Sequence, residues 1–272
     1  MINVGLIRRA LRETWGTTLL LGGVLFAFAG VLAIALPRFQ RQVEEKLQAM
    51  PFLQVMREAM LGEGAGTARG AEIAVSIAWA HPAILSLIAA HAIICCTRVP
   101  AAEVERGSID ILMGLPISRW QLHLAEGLAW IGGILAMLAL GIGGSWVGSR
   151  FVEPSLRPDP WTLLIVVANL GSLAGAVAGC ATLFSTLSDR RGRAAMAGVV
   201  LTLGWLVLNY LAGIWEPAQS VRWLSAFDYY RPLEIVTGKG WPLANLAVLL
   251  GTGLVAWVVA GVVFSRRALA SL

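Results

Sequence analysis

Charge is scarce in this chain of 272 residues: Asp, Glu, Lys and Arg together make up 14%, and only two lysines occur, Lys46 and Lys239. A soluble domain carries about a quarter charged residues. With 57% apolar residues and a mean hydropathy of +0.74, the composition excludes a disordered chain and a water-soluble globule. Cysteine is also sparse. Cys95, Cys96 and Cys180 are an odd number with two adjacent, which is no disulfide framework and no metal spacing. A phosphate-binding loop of the Gly-x-x-x-x-Gly-Lys-Ser/Thr type is missing, since Gly238-Lys239-Gly240 lacks its companions. No His-Glu-x-x-His, nucleophile elbow or Asp-rich pair is present, so the common hydrolytic sets are missing. His81 and His91 stand ten residues apart and share no helix face. The alternating pattern of a membrane β-barrel is lacking too.

What remains is long apolar runs. A helix needs about 20 mostly apolar residues to cross a bilayer core. Six segments qualify: 17–36, 73–96, 124–147, 162–183, 194–215 and 243–264. The expected fold is therefore an all-α integral membrane protein with six transmembrane helices in one domain, joined by two longer polar segments at 37–72 and 216–242. Trp15, Trp120, Trp146, Trp161, Trp215 and Trp241 fall near span ends, where indoles favour the headgroup zone. Nearly all the positive charge is arginine. Arg8, Arg9, Arg12, Arg98, Arg106, Arg119, Arg190, Arg191, Arg193, Arg266 and Arg267 fall on one side of such a bundle. The positive-inside tendency makes that side cytoplasmic and puts both termini there. The first apolar run is too long for a signal-peptide core, although Ala33-Ile34-Ala35 imitates a cleavage site, so it is expected to remain as the first span.

Residues 2–14 plot as an amphipathic helix, with Ile2, Leu6, Ile7, Ala10 and Leu11 on one arc and Arg8, Arg9 and Arg12 on the other; Glu13 is the exception. Residues 1–16 are thus expected to form an interfacial helix, or else a basic flank that only sets topology. Between the second and third spans, Pro100 can start a helix and Gly114-Leu115-Pro116 can end one. Ser118 with Gln121 reads as a capping box opening the third span. Residues 101–115 are accordingly a short helix fixed to a membrane rod, or an ordinary connecting loop.

The stretch Glu105-Arg106-Gly107-Ser108-Ile109-Asp110-Ile111-Leu112-Met113-Gly114-Leu115-Pro116-Ile117-Ser118-Arg119 resembles the E-x-G-T-x-E-x-L-L-x-x-P-[IV]-S-R run of ABC-2 type permeases. These are membrane subunits of ATP-binding-cassette exporters, among them the permease of the nitrous-oxide-reductase maturation system. Ser108 and Asp110 replace the commoner Thr and Glu, and Glu126 stands where the family usually has Lys. The segment from Leu224 to Leu233 is similar to the family's element before the last span. The resemblance implies a coupling helix after span two that docks on an ATPase subunit. By position, Glu103, Glu105, Arg106, Gly107 and Asp110 would face that ATPase, and Pro116 and Arg119 would hold the junction with span three. It implies two ATPase copies that bind ATP and Mg, and a second permease copy as homodimer or related heterodimer. It also implies a bacterial inner-membrane location and export by alternating access. This chain would hold no cofactor and perform no catalysis, and the missing phosphate loop agrees with a borrowed ATPase.

The resemblance also suggests that spans two and five line the route, near Ser76, Trp79, Ser86, Thr202 and Asn209; the other reading of these polar residues is interhelical hydrogen bonding. Gly171, Gly175 and Gly179 form a small-residue ridge, either a dimer seam or packing within one subunit. On the outer side, Val43, Leu47 and Met50, then Phe52, Met56 and Met60 after Pro51, suggest two short amphipathic helices that could meet an outer accessory protein. Phe227, Tyr229, Tyr230 and Pro232 form either an outer gate or an interfacial anchor. An intramembrane lipid-modifying enzyme or a secondary carrier are the alternatives. The first would need a catalytic set and the second ionisable residues at mid-membrane with internal repeats; neither is seen.

Overall fold

The computed structural model describes residues 3–48 and 70–267. Chain buried in lipid must satisfy its own backbone polar groups, and a helix does so within one segment. The long elements are accordingly helices: α1 Val4–Gln48, α2 Gly70–Trp79, α3 Pro82–Cys96, α4 Ile109–Met113, α5 Arg119–Ser149, α6 Pro160–Leu187, α7 Arg191–Ala212 and α8 Leu243–Arg266. Among the described residues no strand occurs. Among the described residues, five helices are long and apolar enough to cross a membrane, and six spans result when α2 and α3 are taken as one bent crossing.

Local chemistry explains the ends. Ser118 Oγ accepts from the Gln121 N–H at 3.1 Å while Gln121 Oε1 accepts from the Ser118 N–H at 2.9 Å, the reciprocal cap expected for α5. Asp159 caps α6 by accepting from the Thr162 N–H at 2.8 Å, with Pro160 in the first turn.

The structure departs from the expected boundaries at three places. The amphipathic segment and the first span are one continuous 45-residue helix, about 67 Å at 1.5 Å per residue, and among the described residues no separate interfacial helix precedes it. Nothing between Arg12 and Thr18 breaks the hydrogen-bond ladder, and the hydroxyls of Thr14 and Thr18 donate back to Ala10 O and Thr14 O. The helix also runs beyond the expected end of the span, through Pro37 to Gln48. The second expected short helix of the outer loop, after Pro51, lies outside the described residues. The second departure is in span two, which bends by 43° between Trp79 and Pro82. Pro82 has no N–H and pushes His81 into extended backbone, where Nδ1 of His81 accepts from the Ala83 N–H and restarts the helix. In the third, residues 101–115 are two short pieces, Glu103–Glu105 and Ile109–Met113, separated by Gly107 at φ +71, a backbone conformation glycine adopts readily.

Two helix pairs carry the architecture. On α1 and α5, a Cβ on Gly144 would fall 2.0 Å from Phe26 O, and one on Gly148 2.3 Å from Gly30 O. On α6 and α8, a Cβ on Gly179 would fall 2.2 Å from Gly253 O, and one on Gly253 2.6 Å from Gly175 O. In both pairs the backbones touch, as small residues permit in lipid. The Gly171–Gly175–Gly179 ridge therefore packs inside the chain; Gly171 itself faces Leu138 of α5. Helix α3 fills the middle with Ile84, Ile88, His91 and Ala92, all buried. Helix α7 covers one side of α6 and turns Met196, Val200, Leu203, Val207 and Tyr210 outward.

Because Gly179 meets backbone rather than a side chain that can swing aside, Gly179→Val should destabilise the α6–α8 pair by about 1–3 kcal/mol, the usual cost of overpacking. Thermal unfolding in detergent should show a lowered midpoint for this variant. Gly204→Val, in open space on α7, should melt like the parent.

Candidate functional site

A charged layer joins four elements at the arginine-rich end of the bundle. Arg98, directly after α3, has a buried side chain that donates to Glu13 of α1 and to Glu126 of α5. Arg9 donates to Glu13 at 2.8 Å and to the buried Glu103 at 2.8 Å. Glu103 in turn accepts from the Ser108 hydroxyl. The result is a chain of alternating sign, Glu126–Arg98–Glu13–Arg9–Glu103. Single charges would be costly in such apolar surroundings, and each one here has an opposite neighbour.

The loop between α3 and α5 is held from its other side as well. The Ala101 N–H donates to Ser185 Oγ of α6 at 3.2 Å, and the Arg191 N–H at the start of α7 donates to Glu105 at 2.9 Å. The Val99–Pro100 bond is cis. Arg119 bridges α5 to the end of α8, donating to Phe264 O at 3.0 Å and to Arg267 O. What protrudes is a small tip: Glu105, Arg106, Asp110, Ile111, Leu115 and Pro116 are exposed, Ile111 by 76% and Leu115 by 48%. The tip thus mixes apolar and charged side chains above a hydrogen-bonded base.

The residues expected at this site divide accordingly. Glu105, Arg106, Gly107, Asp110 and Pro116 lie together on the tip, and Arg119 lies at its junction with α5. Glu103 does not face outward, because Arg9 and Ser108 hold it inside. Arg8 and Arg12 are exposed, whereas Arg9 turns inward to the acids. Sequence reasoning missed Glu13, Arg98 and Glu126 as a unit. The signal was available: an acid on the wrong arc of α1, and an acid two turns into an apolar helix, both require a cation. It also missed Ile111 and Leu115 as exposed apolar groups.

The five residues expected along a route are not gathered. Ser76 is buried and its hydroxyl donates back to Ile73 O at 2.9 Å. The Trp79 ring packs against Gly141 in the core. Ser86 is exposed, and Thr202 and Asn209 are half-buried on α7.

At the opposite end, residues 225–232 pack into the bundle. Phe227, Tyr230 and Pro232 are buried, and the Tyr230 hydroxyl donates to Trp79 O at 3.0 Å, where span two breaks. Asn169 Nδ2 donates to Tyr229 O at 3.3 Å, Ser225 Oγ to Trp205 O at 2.7 Å, and the Tyr229 hydroxyl to Trp223 O at 3.0 Å. Burial pushes the Tyr230 phenol up, so it remains a donor. Asp228 sits between Arg222 and Arg231, both at 2.8 Å from Oδ1. Burial alone would raise its carboxyl, but the hydrogen bonds and charges of the two guanidiniums hold it below the usual carboxylate range. Among the described residues no group of three or more His, Cys, Asp and Glu side chains is placed to hold a metal ion.

A sequence model described as ABC-2 family transporter protein matches residues 7–269. No curated protein and no solved structure matches the chain.

Arg98→Met should cost about 3–5 kcal/mol, because it leaves Glu126 and Glu13 short of their cation; restoring stability by adding Glu126→Leu, read from thermal unfolding, is the expected double-mutant result. Asp228 gives a pH signature. Its carboxyl is lower in the folded chain, so its stabilisation is present above the ordinary value of about 3.9 and is lost as pH falls through the folded value. An Asp228→Asn chain should lack that acid-dependent component in a series of melts below about pH 5.

Proposed function

The chain belongs to the ABC-2 family of transporter proteins and is a multi-pass membrane protein, and on that premise we propose that it is the permease subunit of an ATP-driven exporter moved by a separate ATPase. In this reading the arginine-rich end is cytoplasmic, in a bacterial inner membrane, with both termini on that side. Two ATPase copies grip two permease copies at the tips formed by Glu105, Arg106, Gly107, Asp110 and Pro116, with Ile111 and Leu115 supplying apolar contact. ATP and Mg belong to the ATPase, and this chain does no covalent chemistry. Alternating access follows from the closing of the two ATPases, which draws the tips together.

One observation carries the reading. The exposed tip stands on a partly buried ion chain that reaches α1 through Glu13 and Arg9 and α5 through Glu126. A push on the tip therefore displaces two membrane helices as one body, and cannot be absorbed by a loose loop. At the other end, the Tyr230 contact with Trp79 O joins residues 225–232 to span two, so movement of that span is felt at the outer face. The bend between α2 and α3 lies between the two. The outward apolar stripe of α7, with Met196, Val200, Leu203, Val207 and Tyr210, suits the second permease copy.

Co-expression with its ATPase tests this. Arg106→Glu and Gly107→Trp change only the tip; a Cβ at Gly107 meets nothing within 4 Å, although φ +71 strains it. Both variants should still fold and should lose ATPase co-purification and ATP-driven turnover in vesicles. ATPase association and stimulation equal to the parent in both would overturn the assignment.

A further inference from the structure

The two glycine-locked pairs, α1–α5 and α6–α8, do not close on each other along their length. Between them lies a groove of about 520 Å³, within the about 300–1,000 Å³ typical of ligand sites. Its walls include Leu128 and Leu135 of α5, Gly171 and Ser172 of α6, and Leu254 and Trp257 of α8. The Ser172 hydroxyl is already bound back to Ala168 O at 3.0 Å. Leu135 and Leu254 are 61% and 60% exposed, so the groove opens sideways, toward the lipid around a membrane-spanning bundle. A wall of this kind gives water no hydrogen bonds and fills with hydrocarbon.

Position and ends narrow the occupant. The α5 wall runs from Leu124 to Leu138, about 21 Å of helix at 1.5 Å per residue, against about 15 Å for half a bilayer core. It begins near the arginine-rich end of α5, so it matches one acyl chain of the leaflet at that end. At its foot stands an aromatic stack, with Trp120 edge-on to His123 at 5.6 Å and His123 stacked on Trp257 at 4.6 Å. Arg119, the chain neighbour of Trp120, is half-buried, its guanidinium 6.0 Å over the Phe264 ring. Its Nη1 serves Phe264 O and Arg267 O, and among the described residues Nε and Nη2 of the fork have no hydrogen-bond acceptor. A guanidinium fork suits phosphate, and an indole suits the headgroup zone.

We propose that the seam between the two pairs is a binding site for one phospholipid with an anionic headgroup, its acyl chain in the groove and its phosphate at Arg119. The lipid acts as a filler that lets the pairs move against each other without a void opening between them. The site requires no ATPase, so it stands or falls apart from the function proposed above.

The test uses the full-length chain extracted from vesicles of phosphatidylglycerol and phosphatidylcholine, washed in detergent and weighed by native mass spectrometry. The parent should retain one phosphatidylglycerol. Leu135→Trp and Leu254→Trp, at exposed rim positions that tolerate a larger side chain, should each lower the retained fraction about tenfold, equivalent to about 1.4 kcal/mol. Arg119→Gln should erase the preference for phosphatidylglycerol. Leu206→Trp, on the exposed face of α7, should retain the lipid. No retained lipid in the parent, retention unchanged in both rim variants, or equal loss in Leu206→Trp would overturn the site. An unchanged headgroup preference in Arg119→Gln would overturn the placement of the phosphate.

Discussion

Arg98 can be buried at the end of an apolar bundle only because acids from two other helices come to meet it. Taking a guanidinium out of water costs several kcal/mol even after relaxation, and a lone carboxylate at Glu126 would cost a comparable amount. Placed together, with Glu13 completing the contact, the three groups fix the rotation of α1 and α5 about their axes, since either helix turned by one residue would carry its acid away. Arg9 and Glu103 extend the same constraint to the loop. The geometry of the exposed tip is thus decided beneath it, by ion pairs that the tip residues do not make.

A different force arranges the helices above that layer. Lipid tails are as apolar as leucine, so helices gain little by hiding apolar surface from lipid and associate mainly through close packing. Glycines at Gly144, Gly148, Gly179 and Gly253 let backbones meet at distances no side chain would allow, and the chain forms two stiff pairs. Where α5 lacks such a ridge facing α6 and α8, the pairs stand apart and leave the groove. Both the lever reading of the tip and the lipid reading of the groove follow from this division into stiff parts and a soft seam.

Much of this was legible beforehand. The capping box at Ser118 and Gln121, the sequence positions of the spans and the break after Met113 follow from patterns that act within one turn or one span, where chain neighbours are the relevant partners; the residues from Glu105 to Pro116 were marked by the family resemblance alone. The run of α1 through Thr14 was harder to see, because a change from amphipathic to apolar character alters what a helix faces without stopping its hydrogen-bond ladder. Glu103 was misplaced for a similar reason. A carboxylate in a loop is expected in water, and only the arrival of Arg9 from a helix 94 residues away reverses that.

By itself the sequence determined that the chain is a bundle of membrane helices and where most of them start and stop. These properties depend on hydropathy summed over some twenty residues and on caps and prolines acting locally. Only the tertiary structure decided which acid serves which arginine, that Gly175 and Gly179 of α6 face α8 within the same chain, and that a groove remains between the pairs. Those outcomes depend on the mutual rotation and distance of helices far apart in sequence, where a shift of one residue moves a side chain by about 100° around the axis and no local pattern records the result.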